Sequence, residues 1–262
     1  MARELAGRGA RVLVHGRDPE RARAVAAEIG ARDVYLADLA SLDAVRRLAG
    51  EVARDHATLD ALVSNAGIGA TVPGGGARLE SADGLELRFA VNYLAGWLLT
   101  RLLEPLLVRA GAARIVNVAS AGQMAIDFDD VMLERGYDGM RAYCQSKLAQ
   151  VMSTIDFAER LGGDGVTANA LHPATYMPTK MVLDTGIAPV STLEQGTEAT
   201  VRLVADPDLD GVSGRYFTGL REARAEPQAY DPDARRRLWR LSEGLTGLDR
   251  GRRTAPLNFK RG

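Results

Sequence analysis

Short runs of β-branched and apolar residues alternate along this chain with longer stretches whose apolar positions recur at helical spacing. RVLVHG (11–16), DVYLADL (33–39), DALVSNAG (60–67), ARIVNVASAG (113–122), GVTANALHP (165–173) and SGRYFTG (213–219) predict six strands. Residues 20–30, 42–55, 85–111, 141–163, 192–206 and 232–245 predict six helices. Asp18-Pro19 is a start signal, an N-cap acid followed by proline at the first helical position, and Gly30 is a stop. Pro105 predicts a kink in the helix over 85–111, and the Pro/Gly content of 71–84 predicts a loop. Strands alternating with helices predict an α/β fold: one doubly wound parallel sheet with helices on both faces. Neither repeat nor linker divides it, so residues 1–248 read as one domain and 249–262 as a basic tail.

Composition narrows the function. At 262 residues, with 46% hydrophobic and 26% charged, the chain can bury a sizeable core, which excludes wholesale disorder. A formal net charge of -1 supplies no basic field for nucleic acid or an anionic membrane. Arg250, Arg252, Arg253, Lys260 and Arg261 do cluster in the tail, but Phe259 is their only aromatic neighbour and a solvated tail is expected. Cys144 is the sole cysteine, and His15, His56 and His172 are not spaced as ligand pairs, so no disulfide framework and no metal site is expected. The chain has no apolar run of roughly 18–20 residues and no apolar signal segment in its opening MARELAGRGAR. A soluble, cytoplasmic protein acting on a small molecule is expected. Only Lys147, Lys180 and Lys260 are lysines, so a lysine at a motif position is informative.

Tyr143 and Lys147 are such a position. Four residues apart on a predicted helix, they share one face. A phenol with an ordinary pKa near 10 is a poor acid–base catalyst at neutral pH, and a nearby ammonium favours its ionised form. Ser120 follows the VNVAS strand, at the carboxyl edge where parallel sheets hold ligands. Asn92 lies inside an apolar helix, where an amide is costly unless bonded. Asn65-Ala66-Gly67 ends a strand in a turn that lets backbone approach a ligand.

In this order, with Asp38-Leu39 after a strand and His172-Pro173 ending another, these residues resemble the short-chain dehydrogenase/reductase family across almost the whole chain. AYCQSKLAQ (142–150), the step from Ser120 to Tyr143 and the C-terminal run from Gly214 are similar to its retinol-dehydrogenase-like members. The resemblance implies a Rossmann-type fold and hydride transfer between a nicotinamide coenzyme and a lipophilic carbonyl or alcohol. It implies that Tyr143 is the general acid/base and that Lys147 lowers its pKa and bonds the nicotinamide ribose. Ser120 would hold the substrate oxygen, and Asn92 would order a proton relay from Lys147.

For the coenzyme, Arg17 after the RVLVHG strand stands where an arginine meets a 2′-phosphate, which favours NADP(H) over NAD(H). The resemblance also implies coenzyme contacts from Asp38, Leu39, Asn65, Ala66, Gly67, Pro173 and Thr175, with Thr179 an alternative to Thr175. Ala174 stands where the family has glycine after the proline. MARELAGRGA resembles the last turns of the family's first helix, so a preceding strand and its Gly-rich diphosphate turn are expected upstream of residue 1. The alternative is a catalytically degenerate binding or regulatory protein on the same scaffold. Within residues 1–262 the strands over 11–16 and 60–67 have no shared neighbour. Met177, Met181, Val182, Leu183 and Ile187 offer an apolar substrate loop within 175–195. The helices over 85–111 and 141–163 carry more apolar surface than one core needs, which predicts a homodimer.

Overall fold

Asp18 begins the first long helix as its sequence requires: its carboxylate accepts from the N–H groups of Glu20 and Arg21, Pro19 occupies the first turn, and Gly30 closes the helix in the left-handed conformation. The same chemistry repeats at Thr192, whose hydroxyl and Gln195 form a reciprocal capping box. The computed structural model describes residues 1–71 and 74–248, and the basic tail with its arginines lies outside them.

The helices are α1 (Ala2–Gly7), α2 (Pro19–Ile29), α3 (Leu42–Asp55), α4 (Ala95–Ala110), α5 (Gly139–Leu161), α6 (Lys180–Leu183), α7 (Leu193–Ala205) and α8 (Pro232–Thr246). The strands are β1 (Val14–Gly16), β2 (Val34–Leu36), β3 (Ala61–Ser64), β4 (Arg114–Val118), β5 (Thr167–His172), β6 (Tyr216–Thr218) and β7 (Arg221–Ala223). All six expected strands exist in shortened form. The charged strand β7 was not expected and pairs antiparallel with β6.

The sheet is in two pieces. β1 and β2 pair in parallel as one, while β3-β4-β5-β6-β7 form the other, parallel up to β6. β1 and β3 are not hydrogen-bonded to each other, so each presents an open edge, as expected of two strands without their common neighbour. All four residues of β3 are half-buried, whereas Ile115 to Val118 in adjacent β4 are buried.

Two sequence expectations change. The helix over 85–111 departs from α geometry at a π-helical turn, Phe89–Leu94, and Pro105 lies inside α4 without ending it. The supposed surplus of apolar surface is absorbed within the chain: Trp97, Leu98, Leu107, Leu148, Met152 and Phe157 join one core cluster with Ile115, Ala170 and Trp239. Met140 is the only large apolar side chain of α4 and α5 that is exposed among the described residues, so these helices offer no argument for a dimer.

Candidate active site

Every candidate residue except Asn92 and the Tyr143/Lys147 pair follows the carboxyl end of a strand. Arg17 follows β1, Asp38 and Leu39 follow β2, and Asn65 to Gly67 follow β3. Ser120 lies beyond β4, and Pro173 and Thr175 follow β5. Parallel strands thus bring residues from across the chain to a shared edge of each sheet. Helix α5 supplies Tyr143 and Lys147, and the π turn supplies Asn92. π turns widen a helix locally and recur at functional sites.

Asn92 is 2% exposed, and its amide is fully engaged. Its Oδ1 accepts from the Ile68 N–H at 2.7 Å, and its Nδ2 donates to the Ile68 carbonyl at 3.1 Å and to Ser146 Oγ at 3.0 Å. Ser146 Oγ in turn donates to the Tyr143 carbonyl at 2.7 Å. Arg88, one turn earlier and wholly buried, donates to the carbonyls of Gly69 and Ala70 at 2.9 and 2.6 Å. The loop after β3 is therefore clamped by two side chains of one helix. Sequence reasoning missed Arg88, because an arginine on a helix ordinarily reads as a solvated residue.

Gly67 explains its own identity. A methyl group there would come within 3.1 Å of Asn92 Oδ1 and 3.6 Å of Lys147 Nζ. The bare backbone lets this turn lie against both groups.

Lys147 is buried and donates from Nζ to the Val118 carbonyl at 3.0 Å and to Gln150 Oε1 at 2.8 Å. Burial lowers its pKa to about 8. Tyr143 lies with its ring centroid 5.8 Å from Nζ, so the two groups do share a face. The expected lowering of the phenol's pKa is not what this structure gives. Burial raises it, a hydrogen bond with Ser120 opposes the rise, and Lys147 is not among the causes. The ammonium is turned toward Val118 and Gln150, and desolvation of the phenolate outweighs its influence.

Ser120 and Tyr143 meet above Gly122, whose position lies 3.5 Å from Ser120 Oγ and 3.8 Å from the Tyr143 ring when a Cβ is placed on it. Ser120 Oγ accepts from the Gly122 N–H at 3.0 Å. Its own carbonyl is held by Tyr216 Oη at 2.9 Å and Gln123 Nε2 at 2.8 Å, two supports that carried no sequence signal. The Ser120 hydroxyl and the Tyr143 ring thereby lie beside one another at the sheet edge.

The outer coenzyme candidates are less engaged. Arg17 is exposed, and Asp38 spends one carboxylate oxygen on the Ala40 N–H at 3.0 Å. Leu39 packs against the main core, while Asn65 and Ala66 are exposed. Pro173 is buried, and exposed Thr175 pairs through Oγ1 with His172 Nε2 at 3.0 Å. Those residues join Gln195, Glu198 and Thr218 around a cavity of about 350 Å³ that neither Ser120 nor Tyr143 lines. In the apolar loop, Met181 lies against Gly69 and Met177 against Gly196, while Leu183 and Ile187 are exposed. Among the described residues there is no acid, histidine or cysteine cluster suited to a metal and no helix long and apolar enough to cross a membrane.

Fold and site together define an oxidoreductase of the Rossmann type. Residues 1–186 match the short chain dehydrogenase family. Human retinol dehydrogenase 13 is 36% identical over 95% of this chain and 80% of its own length. Human retinol dehydrogenase 14 is 34% identical over 94% and 82%. A crystal structure of an uncharacterized protein from Mycobacterium paratuberculosis is 30% identical, with a TM-score of 0.75 over 94% of this chain and 87% of that one. A structure described as an NAD(P)-dependent gluconate 5-dehydrogenase from Beutenbergia cavernae, with NADP bound, is 29% identical, with a TM-score of 0.64 over 83% and 88%. The chain belongs to the short-chain dehydrogenase/reductase family and is similar to its retinol dehydrogenases.

The residues present fit the nicotinamide half of that family's NAD(P) coenzyme. Gly67 leaves bare backbone beside Lys147, and the two internal bonds of Nζ leave one N–H for a ribose hydroxyl.

Proposed function

We propose that the protein transfers hydride between NADP(H) and a lipophilic carbonyl or alcohol, with Tyr143, Ser120, Lys147 and Asn92 as its working set. The observation that carries this reading is the placement of the Ser120 hydroxyl and the Tyr143 ring together beside Gly122, with Tyr143 one helical turn from a buried ammonium. The coenzyme, when bound, supplies or accepts the hydride.

The rest belongs to the chain. In reduction, Tyr143 donates its proton to the nascent alkoxide, and Ser120 donates a hydrogen bond to the same oxygen, stabilising charge as it develops. Ser120 is ready for this because Tyr216 and Gln123 fix its backbone. Lys147 supports the tyrosinate left behind. Its Nζ and Asn92 Oδ1 both border the Gly67 backbone, which supports the reading of Asn92 as part of the path returning a proton to Tyr143. Arg17 is exposed after β1, and no acid stands at 14–17 to repel a 2′-phosphate, which supports NADP(H) over NAD(H). Met181 and the exposed apolar residues of its loop support a lipophilic substrate.

The test is carbonyl-dependent oxidation of NADPH, followed at 340 nm, with long-chain alkanals and retinal as substrates. Turnover lost in Tyr143→Phe is the expected result. The divided sheet favours a second reading, a binding protein without turnover. NADPH fluorescence quenching with no carbonyl reduction at any pH from 6 to 10 would establish that reading instead.

A further inference from the structure

Lys147 has an unusual setting for a buried cation. Of the bonds its ammonium makes, one goes to a main-chain carbonyl, Val118, and the other to the side-chain amide oxygen of Gln150, one turn along α5. Gln150 is itself buried, and its backbone carbonyl is fixed by Ser153 Oγ at 3.0 Å and Thr154 Oγ1 at 2.7 Å. The groups facing Nζ from the packed elements are neutral: the Val118 carbonyl from β4, Asn92 from the π turn and the Gly67 backbone from the loop after β3. Tyr143 is the titratable group beside it on its own helix. His172 at the end of β5 is paired with Thr175, and Asp156, farther along α5, is paired with Arg235.

We propose that Gln150 is a positioning residue that keeps Lys147 charged and correctly aimed by giving it an acceptor without a counter-charge. The inference rests on the proposed role of Lys147 in hydride transfer. An apolar residue at 150 would leave one N–H bond unmade in a buried site, and the amine would give up its proton more readily. A carboxylate at 150 would hold the proton harder but cancel the positive charge that supports the tyrosinate at Tyr143. The amide oxygen is the side-chain acceptor that avoids both outcomes. Burial already brings the ammonium near its titration at neutral pH, so one hydrogen bond decides how much of it stays charged.

The two variants Gln150→Met and Gln150→Glu keep the volume at this site and separate the effects. With only three lysines in the chain, ¹³Cε-lysine labelling gives three resonances, and Lys180→Arg and Lys260→Arg assign them. In the full apo chain, the Lys147 midpoint is expected to fall by about one pH unit in Gln150→Met and to rise by about one or more in Gln150→Glu. The other two lysines should stay put. For alcohol oxidation with NADP, the acidic limb of the kcat/KM profile should move up in Gln150→Glu, because a neutralised Lys147 supports the tyrosinate less. A Lys147 midpoint unchanged in both variants overturns the proposal. If the midpoints move but neither the native protein nor any variant reduces a carbonyl, the placement of Gln150 stands and the hydride-transfer reading falls.

Discussion

The β1–β2 unit and the five-stranded sheet are built to different depths. Around β1 and α2 the buried apolar residues are Val14, Ala22 and Ala26, and two short strands share the pairing. Tyr35 and Ala37 tie β2 into a second cluster with α3 and α4, but among the described residues no strand carries hydrogen bonds from β1 to β3. The five-stranded sheet, by contrast, buries β4 and β5 almost completely beneath α4 and α5. Ser120, Tyr143, Lys147 and Asn92 all belong to that dense half. Arg17 and Asp38 belong to the thin one. The proposed chemistry is anchored where structure is redundant, and the reading of the coenzyme's far end rests where it is not.

Tyr143→Phe should test the dense half hardest. It removes one hydroxyl and leaves the ring beside Gly122, and kcat/KM for carbonyl reduction should fall about a thousandfold, or about 4 kcal/mol of transition-state stabilisation. Far-UV circular dichroism and Tm should barely change. A loss below about tenfold would place the proton donor elsewhere.

The dense half also carries an ammonium without a carboxylate, and that has a stability signature. The folded pKa of Lys147 is about 8 and the ordinary value is 10.5. Below pH 8 both folded and unfolded chains hold the proton, and the folded state bears the full cost of burying it. Between 8 and 10.5 the unfolded chain binds that proton and the folded one does not, so stability rises with pH. Against Lys147→Met, native stability in urea should gain about 3 kcal/mol between pH 7 and 10.5. A gap between the two proteins that stays constant with pH would mean that folding does not shift the Lys147 pKa.

Hydrogen exchange compares the two halves directly. The amides of Val14 and Ala37, which bond Asp33 and Gly16, should exchange about a hundredfold faster than those within the β4–β5 pairing, because opening β1–β2 exposes little apolar surface. NADPH should narrow this contrast if it spans both sheets, since a ligand that binds only the closed form adds its binding free energy to the opening cost. Equal protection before any ligand is added would show that the divided sheet acts as one unit.

The same contrast explains how far the sequence could be read. Periodicity placed α2, α3 and α7 to within a residue or two, helped at α2 by Asp18-Pro19, which caps its own neighbours. The candidate site was legible wherever a residue was chemically out of place: an amide in an apolar helix, or a scarce lysine beside a tyrosine. What stayed hidden depends on the fold. Tyr216 and Gln123 meet at the Ser120 carbonyl only because β6 lies beside β5 and the turn after β4 folds back. Arg88 and Gln150 look like surface residues until the loop after β3 and the ammonium of Lys147 are laid against them. β7, with the sequence Arg-Glu-Ala, has no alternation to reveal it because it is an edge strand paired on one side.

Arg17→Ala should have the smallest effect and should sharpen the comparison most. Arg17 is exposed after β1, and no bond ties its guanidinium to any described residue, so the substitution costs little stability. If the thin unit reads the 2′-phosphate, the ratio of kcat/KM for NADPH over NADH should fall about tenfold, almost entirely through KM for NADPH, since an exposed arginine–phosphate pair is worth about 1–1.5 kcal/mol. The effect should weaken as salt rises from 50 to 300 mM, because screening acts on an exposed charge pair. The kcat with saturating NADPH should hold, because the groups proposed to move the proton belong to the other half of the molecule. A fall in kcat equal to the fall in kcat/KM would mean that the two halves are coupled during turnover. The contrast between a rigid chemical centre and a loosely held coenzyme reader would then have to be abandoned.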